Sequence, residues 1–327
     1  MLVVGPNGAG KTNLLESLHV VTQGFSPRTR SDGQLVRFGA QEGRIEANGR
    51  RGSVPCRLRV DLSTNQAKRA ELNGRRLSAA EQLRRELQTL VFTPDRLAVV
   101  KGGPAARRAY FDRVLGRLTP ARMQLPAEYA AAVGQRNAAL RRVGGGLSSL
   151  EALAPWTHRV AELGSELVDA RLDALTLLSP GFGAVAKELG LHGAHLSYEG
   201  ESPDEQALEE VLSRDLERGT TGLGPHLHDV CIQADAHDLR SFGSQGEQRV
   251  AVLALLLAEA RLVDERRGYA PLLLLDDVLS ELDAERRAAL VRLLPGGQTV
   301  VTSTAREALP AEPTQLVRVE PGRAEAA

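Results

Sequence analysis

At 327 residues and 42% hydrophobic content, the chain can bury a sizeable core and form one large domain plus a smaller one. Its 41 Lys+Arg balance 41 Asp+Glu, so total charge argues neither for nor against nucleic acid, while 3% aromatics argue against a base-stacking platform. Two cysteines leave no disulfide framework or zinc-type spacing, and without a signal-peptide pattern or a membrane-length apolar run a soluble cytoplasmic protein is expected.

Residues 2–12 read LVVGPNGAGKT. Leu2–Val4 is predicted as a buried strand, and Leu14, Leu15 and Leu18 share one face of a following helix. Between them, Gly5, Pro6, Asn7, Gly8, Ala9, Gly10, Lys11 and Thr12 fit G-x-x-x-x-G-K-[ST], in the strand–loop–helix order which that motif requires. Glycines let successive backbone N–H groups turn inward around a β-phosphate, and the helix N-terminus adds partial positive charge. Lys11 supplies a compact cation for the β- and γ-oxygens, and Thr12 offers a hydroxyl to Mg²⁺. Lysine is scarce: Lys11, Lys68, Lys101 and Lys187 are the only lysines among the 41 basic residues, which suits a point-charge role. ATP and Mg²⁺ are the expected cofactors.

Charge is unevenly spread. Arg28 to Arg76 carries twelve basic and five acidic residues (+7), and Lys101 to Arg142 carries nine and two (+7). Glu151 to Val230 carries five and fifteen (−10). This predicts a basic face able to meet phosphates and an acidic lobe, with ordinary solvated surface as the alternative. Helical patterns run through Ala105–Leu118, Pro126–Arg142 and Trp156–Leu178, the last with Val160, Leu163, Leu167 and Leu175 at helical spacing. RVGGGLSS at 142–149 punctuates them, and no heptad register persists as a long coiled coil would need. A compact helical lobe over 101–220 is expected, inserted into a sheet-based body formed by 1–100 and 221–327.

FGSQGEQR, residues 242–249, precedes the apolar stretch VAVLALLLAEA. Ser244, Gln245 and Gly246 open that helix and form a second helix-N-terminal anion site. In APLLLLDDVLSELD, residues 270–283, four leucines read as a buried parallel strand, and its acids stand at the carboxyl edge where such sheets bind ligands. Asp276 is expected in the Mg²⁺ shell. Asp277 stands where a general base or water-orienting carboxylate is needed. SELD, residues 280–283, leads into a helix, and the strand QTVVTST at 298–304 ends in hydroxyls, with no firm role for Thr302 or Ser303.

This order of motifs is similar to that of the ATP-binding-cassette branch of P-loop proteins. The likeness implies an α/β fold: an ABC-type P-loop ATPase domain with a mixed sheet plus the inserted helical lobe. In that arrangement the Ser244 turn closes over the γ-phosphate held by a second copy of the chain. Each ATP would lie between Lys11 of one subunit and Ser244, Gln245 and Gly246 of the other, with Ser280 and Asp283 in the D-loop.

Three further stretches narrow the resemblance. FTPDRLAVVKGGPAARRAYFD at 92–112 matches a Thr-Pro-(Glu/Asp)…Gly-Gly-Pro-x-x-Arg-Arg…Asp element, GPHLHD at 224–229 is close to Gly-Pro-His-Arg-x-Asp, and QRNAALR stands at 135–141. On these residues the chain resembles the RecF family, bacterial recombination mediators related to the SMC proteins. The resemblance implies an ATP-dependent DNA-binding protein acting at single-strand gaps and stalled forks. It would work with RecO and RecR to load RecA, supporting the SOS response. ATP and Mg²⁺ would draw two copies together on duplex or junction DNA, and weak ATP hydrolysis would release them. Contacts would be phosphate-dominated and salt-sensitive, with candidates in 28–76 and at Arg107 and Arg108.

Two departures stand out. Family members carry strands ahead of the phosphate loop, so a chain whose loop starts at residue 5 is expected to begin inside the fold. Leu227 replaces the arginine of the Gly-Pro-His element, so no role carries over to it. Two rival readings remain open on the sequence. A transporter's nucleotide-binding subunit would explain the ATPase motifs but not GGPAARR or GPHLHD, and would need a membrane partner. The other is an ATP-gated structural clamp with negligible turnover.

Overall fold

The computed structural model describes residues 1–29 and 31–327; Arg30, in the basic stretch 28–76, lies outside the described residues, as do the Glu81 and Arg85 side chains. The strands are β1 (Leu2–Val4), β2 (Glu42–Arg51), β3 (Val54–Ser63), β4 (Arg69–Leu72), β5 (Arg75–Arg76), β6 (Thr89–Phe92), β7 (His195–Glu199), β8 (Asp229–Ala234), β9 (His237–Asp238), β10 (Leu272–Leu275), β11 (Thr299–Ser303), β12 (Leu316–Glu320) and β13 (Arg323–Ala326). The helices used below are α1 (Lys11–Gln23), α2 (Pro104–Leu118), α3 (Leu125–Gly144), α4 (Ala154–Glu188), α5 (Gln245–Arg267) and α6 (Ala284–Leu293).

Two compact units emerge: Met1–Arg96 with Glu188–Gly190 and Val252–Ala327, and Leu97–Lys187 with Leu191–Ala251. In the first, among the described residues, the main sheet has the order β13-β12-β1-β11-β10-β6. β12, β1, β11, β10 and β6 run parallel, and β13 closes one edge antiparallel, giving the mixed sheet expected. Its central strands read as unbroken apolar runs because both faces are covered: Leu2, Val3, Leu273, Leu274, Leu275 and Val300 are all buried. Parallel strands bring their carboxyl ends to one edge. Val4 pairs with Ser303 and Leu275 with Val301, so the residues following β1 and β10 meet the end of β11 there.

The first unit also carries the antiparallel sheet β2-β3-β4-β5. Along β3, Cys56, Leu58, Val60 and Leu62 are buried, at the alternation a one-sided sheet requires. On its other face Arg59 pairs with Asp61 at 2.9 Å, Arg44 with Asp61 at 2.8 Å and Arg57 with Glu46 at 3.6 Å. The positive charge of the 28–76 stretch is therefore partly neutralised across the strands.

The second unit is built around α2, α3 and α4, with Leu115, Leu125, Tyr129, Val160, Leu163 and Leu167 in a shared core. All three expected helices form, and α4 runs on to Glu188 because its apolar stripe continues through Phe182, Val185 and Ala186. Two features add to the compact helical lobe expected over 101–220. An antiparallel sheet β7-β8-β9 lies in this unit, and residues 221–251 cluster with it. The cause is long-range pairing: β8 is zipped to β7 through Tyr198–Val230 and Glu199–Asp229. Cys56 and Cys231 are both free thiols. Among the described residues no helix is long and apolar enough to cross a membrane.

Candidate functional site

The glycine pattern of the first loop has a steric basis. A Cβ on Gly5 would stand 2.3 Å from the Val319 carbonyl oxygen on β12, so only glycine fits where β1 ends. Gly8 and Gly10 have φ of +80° and +105°, the left-handed region that glycine enters freely. Gly10 caps α1 with no side-chain hydrogen bond, and the first turn carries no acidic residue. The positive end of the helix is thus presented to the loop, where an anion would be stabilised. Lys11 is 8% exposed, and its Nζ donates to the carbonyls of Gly5 at 2.8 Å and Pro6 at 3.0 Å. These bonds hold a single ammonium against the loop, while Pro6, Asn7 and Gly8 face solvent and Ala9 is buried in the sheet core.

The acidic residues emerge at the same sheet edge. Asp276 is 6% exposed, and its N–H donates to the Phe92 carbonyl at 2.9 Å. Its Oδ1 accepts from Thr12 Oγ1 at 3.2 Å and from Thr302 Oγ1 at 2.8 Å. Asp277 is half-buried and takes φ +50°, unusual for a residue with a side chain. Its N–H donates to Thr302 Oγ1 at 2.8 Å, and its carbonyl accepts from Ser280 Oγ at 2.8 Å. Asp283 is exposed and caps α6, accepting from the Arg286 N–H at 2.8 Å.

The donor set fits a polyphosphate with Mg²⁺. An uncapped helix N-terminus and an ammonium meet the anion. A hydroxyl and a carboxylate within 3.2 Å of each other are hard oxygen ligands, to which Mg²⁺ adds phosphate oxygens and water. Thr302, to which sequence reasoning gave no role, belongs to this group; its place near the carboxyl end of a parallel strand beside the acidic strand was the available signal.

The Ser244 turn lies in the second unit. Ser244 Oγ accepts from the Glu247 N–H at 3.3 Å, and Glu247 Oε2 accepts from the Ser244 N–H at 2.7 Å. This reciprocal cap fixes the start of α5. Buried Gln248 donates to the Leu239 carbonyl at 2.8 Å and ties the turn down from below. Ser244 and Gln245 are left exposed, and Gly246 is half-buried.

Arg107 is a correction. It is 3% exposed, its Nε donates to Asp229 Oδ1 at 2.7 Å, its Nη2 pairs with Asp229 Oδ2, and its Nη1 donates to the Gly102 carbonyl at 2.8 Å. A buried, fully engaged guanidinium is not a DNA contact; it ties the GGPAARR element to GPHLHD. Arg108 is half-buried and donates to the His228 carbonyl at 2.7 Å. His226 is a packed histidine: Nδ1 meets the Tyr129 hydroxyl at 2.8 Å and Nε2 the Thr221 carbonyl at 3.0 Å. The carbonyl can only accept, so Nε2 carries the proton and Nδ1 accepts from tyrosine. Burial, and then the nearby Arg171, push His228 down to about 4, so it is neutral at pH 7. Arg136 of QRNAALR is fully buried and pairs with Asp215 at 2.7 Å. Leu227 is 55% exposed, so the departure from arginine falls on the surface.

With this geometry in hand, the likeness to known proteins is specific. The family described as the RecF/RecN/SMC N terminal domain matches residues 1–325. A protein of Lacticaseibacillus casei named DNA replication and repair protein RecF is 34% identical over 328 residues, 95% of this chain and 88% of that protein. Its namesake in Desulforudis audaxviator is 36% identical over 322 residues, 94% and 88% of the two chains. A solved structure of the recombination mediator protein RecF-ATP in the RecFOR pathway superposes with a TM-score of 0.86 at 25% identity, covering all of this chain and 91% of that one. The Smc head domain of Pyrococcus furiosus shares the fold, with a TM-score of 0.59 at 16% identity, over 100% of this chain and 89% of that one. The chain belongs to the RecF family, within the wider RecF/RecN/SMC group.

Proposed function

We propose that the chain is an ATP-dependent DNA-binding protein of recombinational repair and replication-fork maintenance. It binds DNA at single-strand gaps as an ATP-induced homodimer, helps RecO and RecR load RecA, and so supports the SOS response. The observation that carries this reading is the cluster of Lys11, Thr12 and Asp276 at an uncapped helix N-terminus. A family member solved with ATP supports the choice of nucleotide.

In this reading the loop from Gly5 to Thr12 binds the phosphates and Lys11 neutralises the β- and γ-oxygens. Thr12 and Asp276 would hold Mg²⁺, which when bound would supply electrostatic stabilisation of charge on the γ-phosphate. Asp277 orients the attacking water and accepts its proton. Ser244, Gln245 and Gly246 of a second copy close the site, and exposure of that helix start leaves them able to do so. Ser280 and Asp283 form the D-loop beside it. DNA is held through phosphates by basic residues of the 28–76 stretch, where Asp61 and Glu46 keep the attraction moderate, and the contact is salt-sensitive because counterions leave the phosphates.

Sedimentation tests the dimer. The parent chain is expected to dimerise with ATP but not with ADP or without nucleotide. Ser244→Arg is expected to bind ATP with near-parental affinity and remain monomeric, because the added guanidinium occupies the space a partner's γ-phosphate needs. A Ser244→Arg chain that dimerises normally removes the sandwich.

A further inference from the structure

We propose that Thr302 is a positioning residue that sets both acids of the nucleotide site through one hydroxyl, an inference that rests on the ATPase reading above. Thr302 stands in β11, is fully buried, and is held in register by β1 through its pairing with Val3. Its Oγ1 donates to Asp276 Oδ1 at 2.8 Å and accepts from the Asp277 N–H at 2.8 Å.

A hydroxyl has one hydrogen, so the two bonds specify each other. Donation to the Asp276 carboxylate turns the lone pairs toward the Asp277 amide. Branching at Cβ restricts the χ1 rotation that would break both bonds. Asp276 thereby keeps one oxygen committed to Thr302 and Thr12, which aims the carboxylate toward the Thr12 hydroxyl. Asp277 stays at φ +50°, a conformation that persists only where the surroundings hold it. Thr302 grips its amide and Ser280 its carbonyl. The hydroxyl therefore couples the direction of the metal-side carboxylate to the backbone of the water-side one. Valine has the same shape without that capacity, and leaves a buried amide without its partner.

The test compares Thr302→Val with Thr302→Ser. In Thr302→Val, kcat for ATP is expected to fall about 10- to 100-fold, the effect of a small misplacement of reacting groups. KM should change much less than kcat, because the Lys11 and loop contacts to the phosphates are untouched. Thr302→Ser keeps the hydroxyl and should restore turnover. A second readout needs no turnover: backbone hydrogen exchange at Asp277 in the nucleotide-free chain should accelerate in Thr302→Val and not in Thr302→Ser. Parental kcat in Thr302→Val overturns the proposal. So does an equal loss in both variants, or Asp277 exchange that is the same in all three chains. If the parent itself neither binds nor hydrolyses ATP, the ATPase reading fails, and the exchange result still decides whether Thr302 holds Asp277.

Discussion

Lys11→Ala is expected to weaken ATP binding by about 100-fold while leaving the fold intact. The ammonium is held against the loop by the Gly5 and Pro6 carbonyls, so its charge is already in place when a polyphosphate arrives. At a partly buried site with an effective dielectric near 20, a unit charge pair at about 4 Å is worth about 4 kcal/mol, most of which the truncation forfeits. The variant loses two bonds to loop carbonyls, and Pro6 faces solvent, so water replaces part of what is removed. Titration calorimetry with ATP reads the affinity directly. A thermal scan provides the control: nucleotide-free midpoints should be close, and the upward shift that saturating ATP gives the parent should be absent from the variant. Lys11→Arg should also bind poorly, since a planar fork cannot occupy the position from which a single Nζ reaches two adjacent carbonyls. Parental affinity in Lys11→Ala would remove the loop as the nucleotide site.

Asp277→Asn is expected to lower ATP turnover by about 100- to 1000-fold and to leave ATP-induced dimerisation intact. Asparagine is the appropriate replacement because it tolerates the left-handed region, so the φ of +50° and the hydrogen bond from the backbone N–H to Thr302 Oγ1 survive. Only the capacity to accept a proton and to orient water by charge is lost. If, as proposed, hydrolysis ends the dimer, the variant should also hold DNA longer in ATP, seen as slower dissociation in a surface-binding measurement. Phosphate release at the parental rate would take Asp277 out of the mechanism.

Much of the candidate site's geometry was legible in the sequence because it is local. The run from Gly5 to Thr12 encodes its own conformation: the strand, the glycine turns and the helix start all follow from neighbouring residues. Asp276 and Asp277 were legible because a strand of four leucines has a carboxyl end. The Ser244 turn carries a local cap, with Glu247 three residues on. The rest depends on partners far along the chain. Arg107 reads as a surface cation beside Arg108, and only pairing with Asp229, more than a hundred residues away, buries it. Thr302 looks like the end of any strand until the Leu275–Val301 register sets it beside Asp276. The reach of the second unit to Ala251 likewise depends on β8 finding β7, a pairing that alternation within either strand does not specify.

The proposed two-copy site is tested most directly by mixing defective chains. Lys11→Ala lacks the loop cation and Ser244→Arg lacks a usable closing turn, so neither should dimerise or hydrolyse ATP alone. A head-to-tail pair of one of each rebuilds one intact site, with Lys11 from one chain and Ser244 from the other. The mixture should therefore form dimers with ATP and regain phosphate release from a single site per pair. A mixture no more active than the sum of its separate components would contradict the shared site.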